Sequence, residues 1–94
     1  MPKVLAFAEV EDAGRWEEGF KTHGDLFRSQ TINTPIQYGT SDDNKVAIIF
    51  EPDNLETFFN ILESPATAEA MAFDGVKRET AKFFVIDKGY DPNI

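Results

Sequence analysis

Cysteine is absent from this 94-residue chain, which removes disulfides, thiolate metal ligands and thiol nucleophiles and fits a reducing compartment, so the cytoplasm is the expected location. Histidine occurs once, at His23, and a protein metal site normally needs several convergent ligands, so no metal and no other cofactor is expected. Positive charge is in deficit. Nine basic residues against 17 acidic ones give a formal charge of -8, a field that repels phosphate backbones and anionic headgroups and argues against nucleic-acid and membrane partners. No apolar run approaches membrane-spanning length. The opening residues lead straight into a strand-like segment with no secretory leader pattern. Glycine-rich phosphate loops, nucleophile elbows and dinucleotide fingerprints are all missing. So are repeats, low-complexity tracts and linkers, and residues 1–94 are expected to form one domain.

What is present is a sizeable apolar complement: 41% hydrophobic residues, nine of the 94 being phenylalanine. That is enough to offset chain entropy in one core, whereas an acidic disordered chain would lack it. Six elements follow from the punctuation. Lys3 to Val10 reads as a strand, ended by Glu11-Asp12, with Asp12 placed to cap a helix. From Ala13 to about Ser29, the residues Trp16, Phe20, His23 and Phe27 recur at helical spacing on one face, with Gly24 a point at which the helix ends or kinks. Ile36 to Gly39 and Lys45 to Glu51 flank the turn-rich run Thr40 to Asn44 as a hairpin, and Pro35 puts the first of these strands at a sheet edge. Asp53 and Glu56 form a capping box ahead of Leu55, Phe58, Phe59 and Leu62. Ser64-Pro65 opens a further short helix through Met71 that stops near Asp74-Gly75, and Thr80 to Asp87 is the last strand.

A βαββαβ order with right-handed crossovers predicts an antiparallel four-stranded sheet, the first and third strands central and the helices on one face. Both parities of the first, third and fourth strands are apolar: Val4, Ala6, Ala8 and Val10 against Leu5 and Phe7, Val46, Ile48 and Phe50 against Ala47 and Ile49, Phe83 and Val85 against Phe84 and Ile86. A sheet with one wet face would show polar residues on one parity, so the second face is expected to be covered by another copy of the chain. Bulky helix residues favour the small Ala6 and Ala8 side as their floor, leaving Leu5, Phe7 and Glu9 toward the partner.

The first-helix run Trp16-x3-Phe20-x2-His23 and the stretch from Ser64-Pro65 through Ala68, Met71 and Gly75-Val76 into Ala81 to Ile86 resemble the dimeric α+β barrel superfamily over nearly the whole chain. The resemblance implies a ferredoxin-like α+β subunit that pairs sheet to sheet. It also implies a range of activities: antibiotic-biosynthesis-type and haem-degrading monooxygenases, lactone isomerases, polyketide cyclases and stress-responsive barrel proteins. Fold does not choose among them. Haem-degrading members use a histidine of the second helical region and an asparagine of the first strand, and neither stands here.

Candidate chemistry centres on His23, since histidine alone has an unperturbed pKa near neutrality; it is the first candidate for a general acid or base. Trp16, Phe20 and Phe27 are candidates for the wall of a pocket between helix and sheet that takes a planar or polyketide-like ligand, with Tyr38 as a phenolic donor beside it. At helical spacing the same aromatics also serve as plain core. Glu9 and Glu51, at the ends of the two central strands, are further carboxylates to place. The third strand lacks the glycine-flanked aromatics of RNA-binding βαββαβ modules. The reading is a small homodimer binding a small apolar molecule, with a cofactor-independent monooxygenase, isomerase or cyclase acting through His23 as the alternative. The tail from Lys88 to Ile94 is either free or docked on the partner.

Overall fold

In a computed structural model, which describes residues 2–94 and leaves Met1 outside, eight elements run β1 (Lys3–Val10), α1 (Ala13–Phe20), α2 (Gly24–Ser29), β2 (Gln37–Thr40), β3 (Lys45–Phe50), α3 (Leu55–Leu62), α4 (Pro65–Phe73) and β4 (Val76–Ile86). The sheet order is β2-β3-β1-β4, all antiparallel. The fold is the expected ferredoxin-like α+β sandwich, with the first and third strands central and the proline-preceded strand at an edge. Among the described residues no helix is long and apolar enough to cross a membrane.

Side-chain parity divides the sheet as its sequence requires. Val4, Ala6 and Val10 of β1 and Val46, Ile48 and Phe50 of β3 are buried beneath the helices with Trp16, Phe20 and Phe58. An aromatic chain links the layers, from Trp16 stacked on Phe20 at 4.6 Å through Phe27 and Phe50 to Phe58. Aromatic pairs at such separations add about 0.5–1.5 kcal/mol each beyond their buried area. The opposite face carries Leu5, Phe7, Ala47, Ile49, Phe84 and Ile86, and Phe7, Phe84 and Ile86 are 44%, 49% and 46% exposed. A single copy of the chain leaves that apolar face open to solvent.

Three local readings change. The first helix is two: Lys21 caps α1, and His23 is the residue before α2, so Gly24 begins a helix and the chain turns between Lys21 and His23. Asn54, not Asp53, caps α3 by accepting from the Thr57 N–H at 2.9 Å, while Asp53 accepts from Asn33. Helix α4, by contrast, is as expected, capped by Ser64 with Pro65 in its first turn and ending at Phe73, just before Asp74-Gly75. Strand β4 starts at Val76, four residues before Thr80. Between Phe7 and Glu9 its pairing with β1 slips, from Phe7 opposite Lys82 to Glu9 opposite Lys77. Thr80 fills the gap: its hydroxyl accepts from the Glu9 N–H at 2.9 Å and donates to the Lys77 carbonyl at 2.6 Å, so the bulge leaves neither group orphaned.

Candidate functional site

Small side chains on the sheet and large ones on the helices do not fill all of the space between them. Ala6, Ala8 and Ala81 floor a cavity whose walls include Trp16, Phe20, Phe27, Phe83, Met71 and His23. It offers about 70 Å³ to the centre of a water-sized sphere, where a single water needs roughly 10–15 Å³. The space suits several waters or one ring-sized apolar group. A polycyclic ligand would need the helices to part, which narrows the polyketide-like expectation.

His23 lies at the turn between α1 and α2, and its Nε2 sits 3.1 and 3.0 Å from the two carboxylate oxygens of Asp74, at the end of α4. The imidazole is 19% exposed and the carboxylate 4%. Phe73 approaches the ring edge-on at 6.2 Å. Burial pushes the Asp74 carboxyl up from its ordinary value, against the pull of His23 and Arg15 in the other direction. Arg15 also donates to the Phe73 carbonyl at 3.0 Å and pairs with Glu11, tying α1 to the end of α4. Space for Asp74 depends on Gly19: a Cβ there would stand 2.0 Å from Asp74 Oδ1 and 2.9 Å from its Cγ. Deeper in the site, buried Gln30 approaches the Thr67 hydroxyl at 3.4 Å, and that hydroxyl donates to the Ile61 carbonyl at 2.6 Å.

Of the residues singled out by sequence, Trp16, Phe20, Phe27 and His23 all border this cavity, and Trp16 and Phe20 belong equally to the buried core. Tyr38 does not border it. Its ring packs edge-on against Trp16 and Phe20, each at 5.5 Å, and its hydroxyl donates to Glu17 at 2.5 Å at the rim of an outer groove that also holds Lys21 and Thr34. That bond lowers the Glu17 carboxyl and raises the Tyr38 phenol, so the phenolic proton is committed away from the cavity. Glu9 and Glu51 are absent from the lining. Sequence reasoning missed Asp74, 51 positions from His23, and Gly19; the only local hint was that Asp74 stands at a helix end beside Gly75, which has φ +75°. Among the described residues no three His, Asp or Glu side chains converge to hold a metal.

No family profile and no curated protein sequence matches this chain. Solved structures do. SnoaB, a cofactor-independent oxygenase from Streptomyces nogalater, superposes with a TM-score of 0.64 at 17% identity, covering 97% of this chain and 94% of its own. A Bordetella bronchiseptica protein, provisionally titled an antibiotic biosynthesis monooxygenase, gives 0.72 at 11% identity over 95% and 97% of the two chains. The protein At3g17210 from Arabidopsis thaliana gives 0.65 at 12% identity over 97% and 98%. The chain therefore shares the ferredoxin-like α+β fold of antibiotic biosynthesis monooxygenase-like proteins. At such identities the likeness carries the fold, and the chemistry rests on this chain's own residues.

Proposed function

We propose that the protein is a homodimer, paired through the open sheet face, in which each subunit binds a small, largely apolar, ring-sized molecule between helices and sheet. The observation that carries this reading is an apolar cavity with one histidine at its wall, bonded to a buried carboxylate and not to backbone. A histidine serving only the core would more simply meet a main-chain group. The apolar lining gives affinity for a neutral ring, and the His23 imidazole gives one site for moving a proton to or from it.

The carboxylate partner also favours an enzyme reading, in which His23 acts on an acidic O–H or C–H of the ligand in a cofactor-independent oxygenation, isomerisation or cyclisation. Dimerisation rests on Leu5, Phe7, Ile49, Phe84 and Ile86, whose apolar surface water would otherwise meet. Both parts are tested by native mass spectrometry of freshly purified protein. The expected spectrum is a dimer carrying a small organic mass, or one that takes up phenol stoichiometrically. A bare monomer that binds no ring compound overturns the reading.

A further inference from the structure

The Nε2 atom of His23 faces both oxygens of Asp74, and among the described residues Nδ1 has no protein hydrogen-bond partner. A carboxylate can only accept, so it selects the imidazole in which Nε2 carries the proton. Nδ1 is then the ring nitrogen without a protein partner, on a ring that borders the cavity and is 19% exposed. Asp74 cannot easily leave this arrangement. It is 4% exposed, at the end of α4, and seated against a helix position where Gly19 supplies the room that any other residue would fill. The same carboxylate is a buried negative charge on the cavity wall, in a chain of net charge -8. No lysine or arginine lines that cavity. Arg15, which acts on Asp74 from beside the Phe73 carbonyl, stands outside that lining, so a ligand arriving in the cavity as an anion meets the carboxylate with no cation of the wall to offset the repulsion.

We propose that Asp74 is the positioning residue for His23, fixing Nδ1 as proton acceptor, and that the Asp74 charge restricts the site to neutral ring compounds bearing a weakly acidic O–H or C–H. In the step so assigned the ligand X–H bond breaks, its electron pair stays on X, and the proton forms a bond to Nδ1. The resulting imidazolium keeps its Nε2–H on Asp74, which stabilises the charge beside the newly formed ligand anion. This inference rests on the ligand cavity proposed above. It deepens that reading by naming the substrate class and the residue that sets it.

Because His23 and Trp16 are each the sole residue of their type, NMR reports separately on the proton acceptor and on the cavity. With uniformly ¹⁵N-labelled protein at pH 8, the expected imidazole is singly protonated at Nε2, with a ring N–H proton visible in water and lost to exchange in Asp74→Ala. Phenol should shift both the Trp16 indole and His23 Nδ1 signals, and should bind at least about tenfold more tightly than benzoate, the scale of one partly buried charge a few ångströms away. Asp74→Asn keeps an acceptor for Nε2–H and removes the charge. It should retain phenol binding while most of the discrimination against benzoate disappears, which loss of packing alone would not produce. Gly19→Ala, which displaces the carboxylate by another route, should likewise weaken the discrimination. A proton on Nδ1, benzoate binding equal to phenol in the wild type, or unchanged discrimination in Asp74→Asn overturns the inference. A Trp16 signal unmoved by phenol overturns the cavity reading itself. A moved Trp16 signal with Nδ1 unaffected leaves the cavity standing and removes Asp74 and His23 from the chemistry.

Discussion

Adding one methyl group at Gly19 puts the linkage between α1 and α4 to a direct test. Within a helix, alanine is ordinarily better than glycine by about 1 kcal/mol, so Gly19→Ala would stabilise a chain in which nothing opposed the new Cβ. Here that Cβ stands 2.0 Å from Asp74 Oδ1 and 2.9 Å from Cγ, with Phe73 Cδ2 behind at 3.6 Å. Overpacking of a filled site costs about 1–3 kcal/mol. The bond from His23 Nε2 to the carboxylate, which Asp74 surrenders if it moves, contributes about 1.5–3 kcal/mol. Release of the carboxylate toward water returns part of this, so the sum stays near the lower ends of these ranges, and after the helix gain a net loss of about 1.5 kcal/mol remains. For a domain of this size that is a fall of roughly 6–12 °C in Tm. Thermal unfolding by circular dichroism measures it, with Gly39→Ala as the control, since nothing lies within 4 Å of a Cβ at that position. The double variant Gly19→Ala, Asp74→Ala should be more stable than Gly19→Ala alone, because the clashing carboxylate is gone. A single Gly19→Ala variant with Tm at or above wild type would refute the reasoning.

Three further expectations follow from the same structure. Burial raises the Asp74 pKa above its unfolded value, so this group favours the folded state at low pH and that contribution is lost as pH rises through the folded pKa; Asp74→Asn should therefore have the higher Tm at pH 7, with the gap closing as pH falls below the carboxylate range. If the variant is less stable at pH 7 and the gap widens in acid, the sign is wrong. Asn54→Ala should cost about 1 kcal/mol through loss of the cap on α3, and Asp53→Ala clearly less, as read from urea midpoints; the reverse order would restore the capping box that sequence suggested. Phe84→Glu places a charge beside Phe7, whose ring lies 6.0 Å away on the open sheet face, and should turn the proposed dimer into a monomer in light scattering at micromolar concentration while the helix-side core stays folded; a wild-type monomer would remove the proposed dimer, and an unchanged dimer would locate its interface elsewhere.

Strand identity and sheet faces were legible because they depend on alternation within a few residues. Val46, Ile48 and Phe50 carry the parity of β3, and Ala6 betrays the side on which large helix residues need room. Ser64-Pro65 was equally plain, since a cap and an N-terminal proline act locally. The first four residues of β4 were not legible. Val76-Lys77-Arg78-Glu79 is mostly charged and exposed, and it is a strand only because β1 pairs with it across a bulge. The Asp53 capping box was off by one residue, because the helix starts at Leu55 and the adjacent Asn54 offers the same kind of cap oxygen to Thr57. Around the cavity, the positions of His23, Trp16, Phe20 and Phe27 follow from helical spacing, whereas Tyr38 stands apart because its ring follows the edge strand outward to Glu17. Asp74 and Gly19 share nothing local with each other or with His23. Their meeting is created by the return of α4 over α1, a tertiary event that leaves no periodic signal.

The most direct measurement is a crystal structure of the protein soaked with 4-bromophenol, phased to reveal the bromine by its anomalous signal. The account predicts a peak inside each subunit, between the sheet floor of Ala6 and Ala81 and the rings of Trp16 and Phe83, with the phenol oxygen turned to His23 Nδ1. A peak only on the outer surface, or none in a crystal whose cavity stays filled by its own side chains, would contradict the claim that this fold encloses a ligand site.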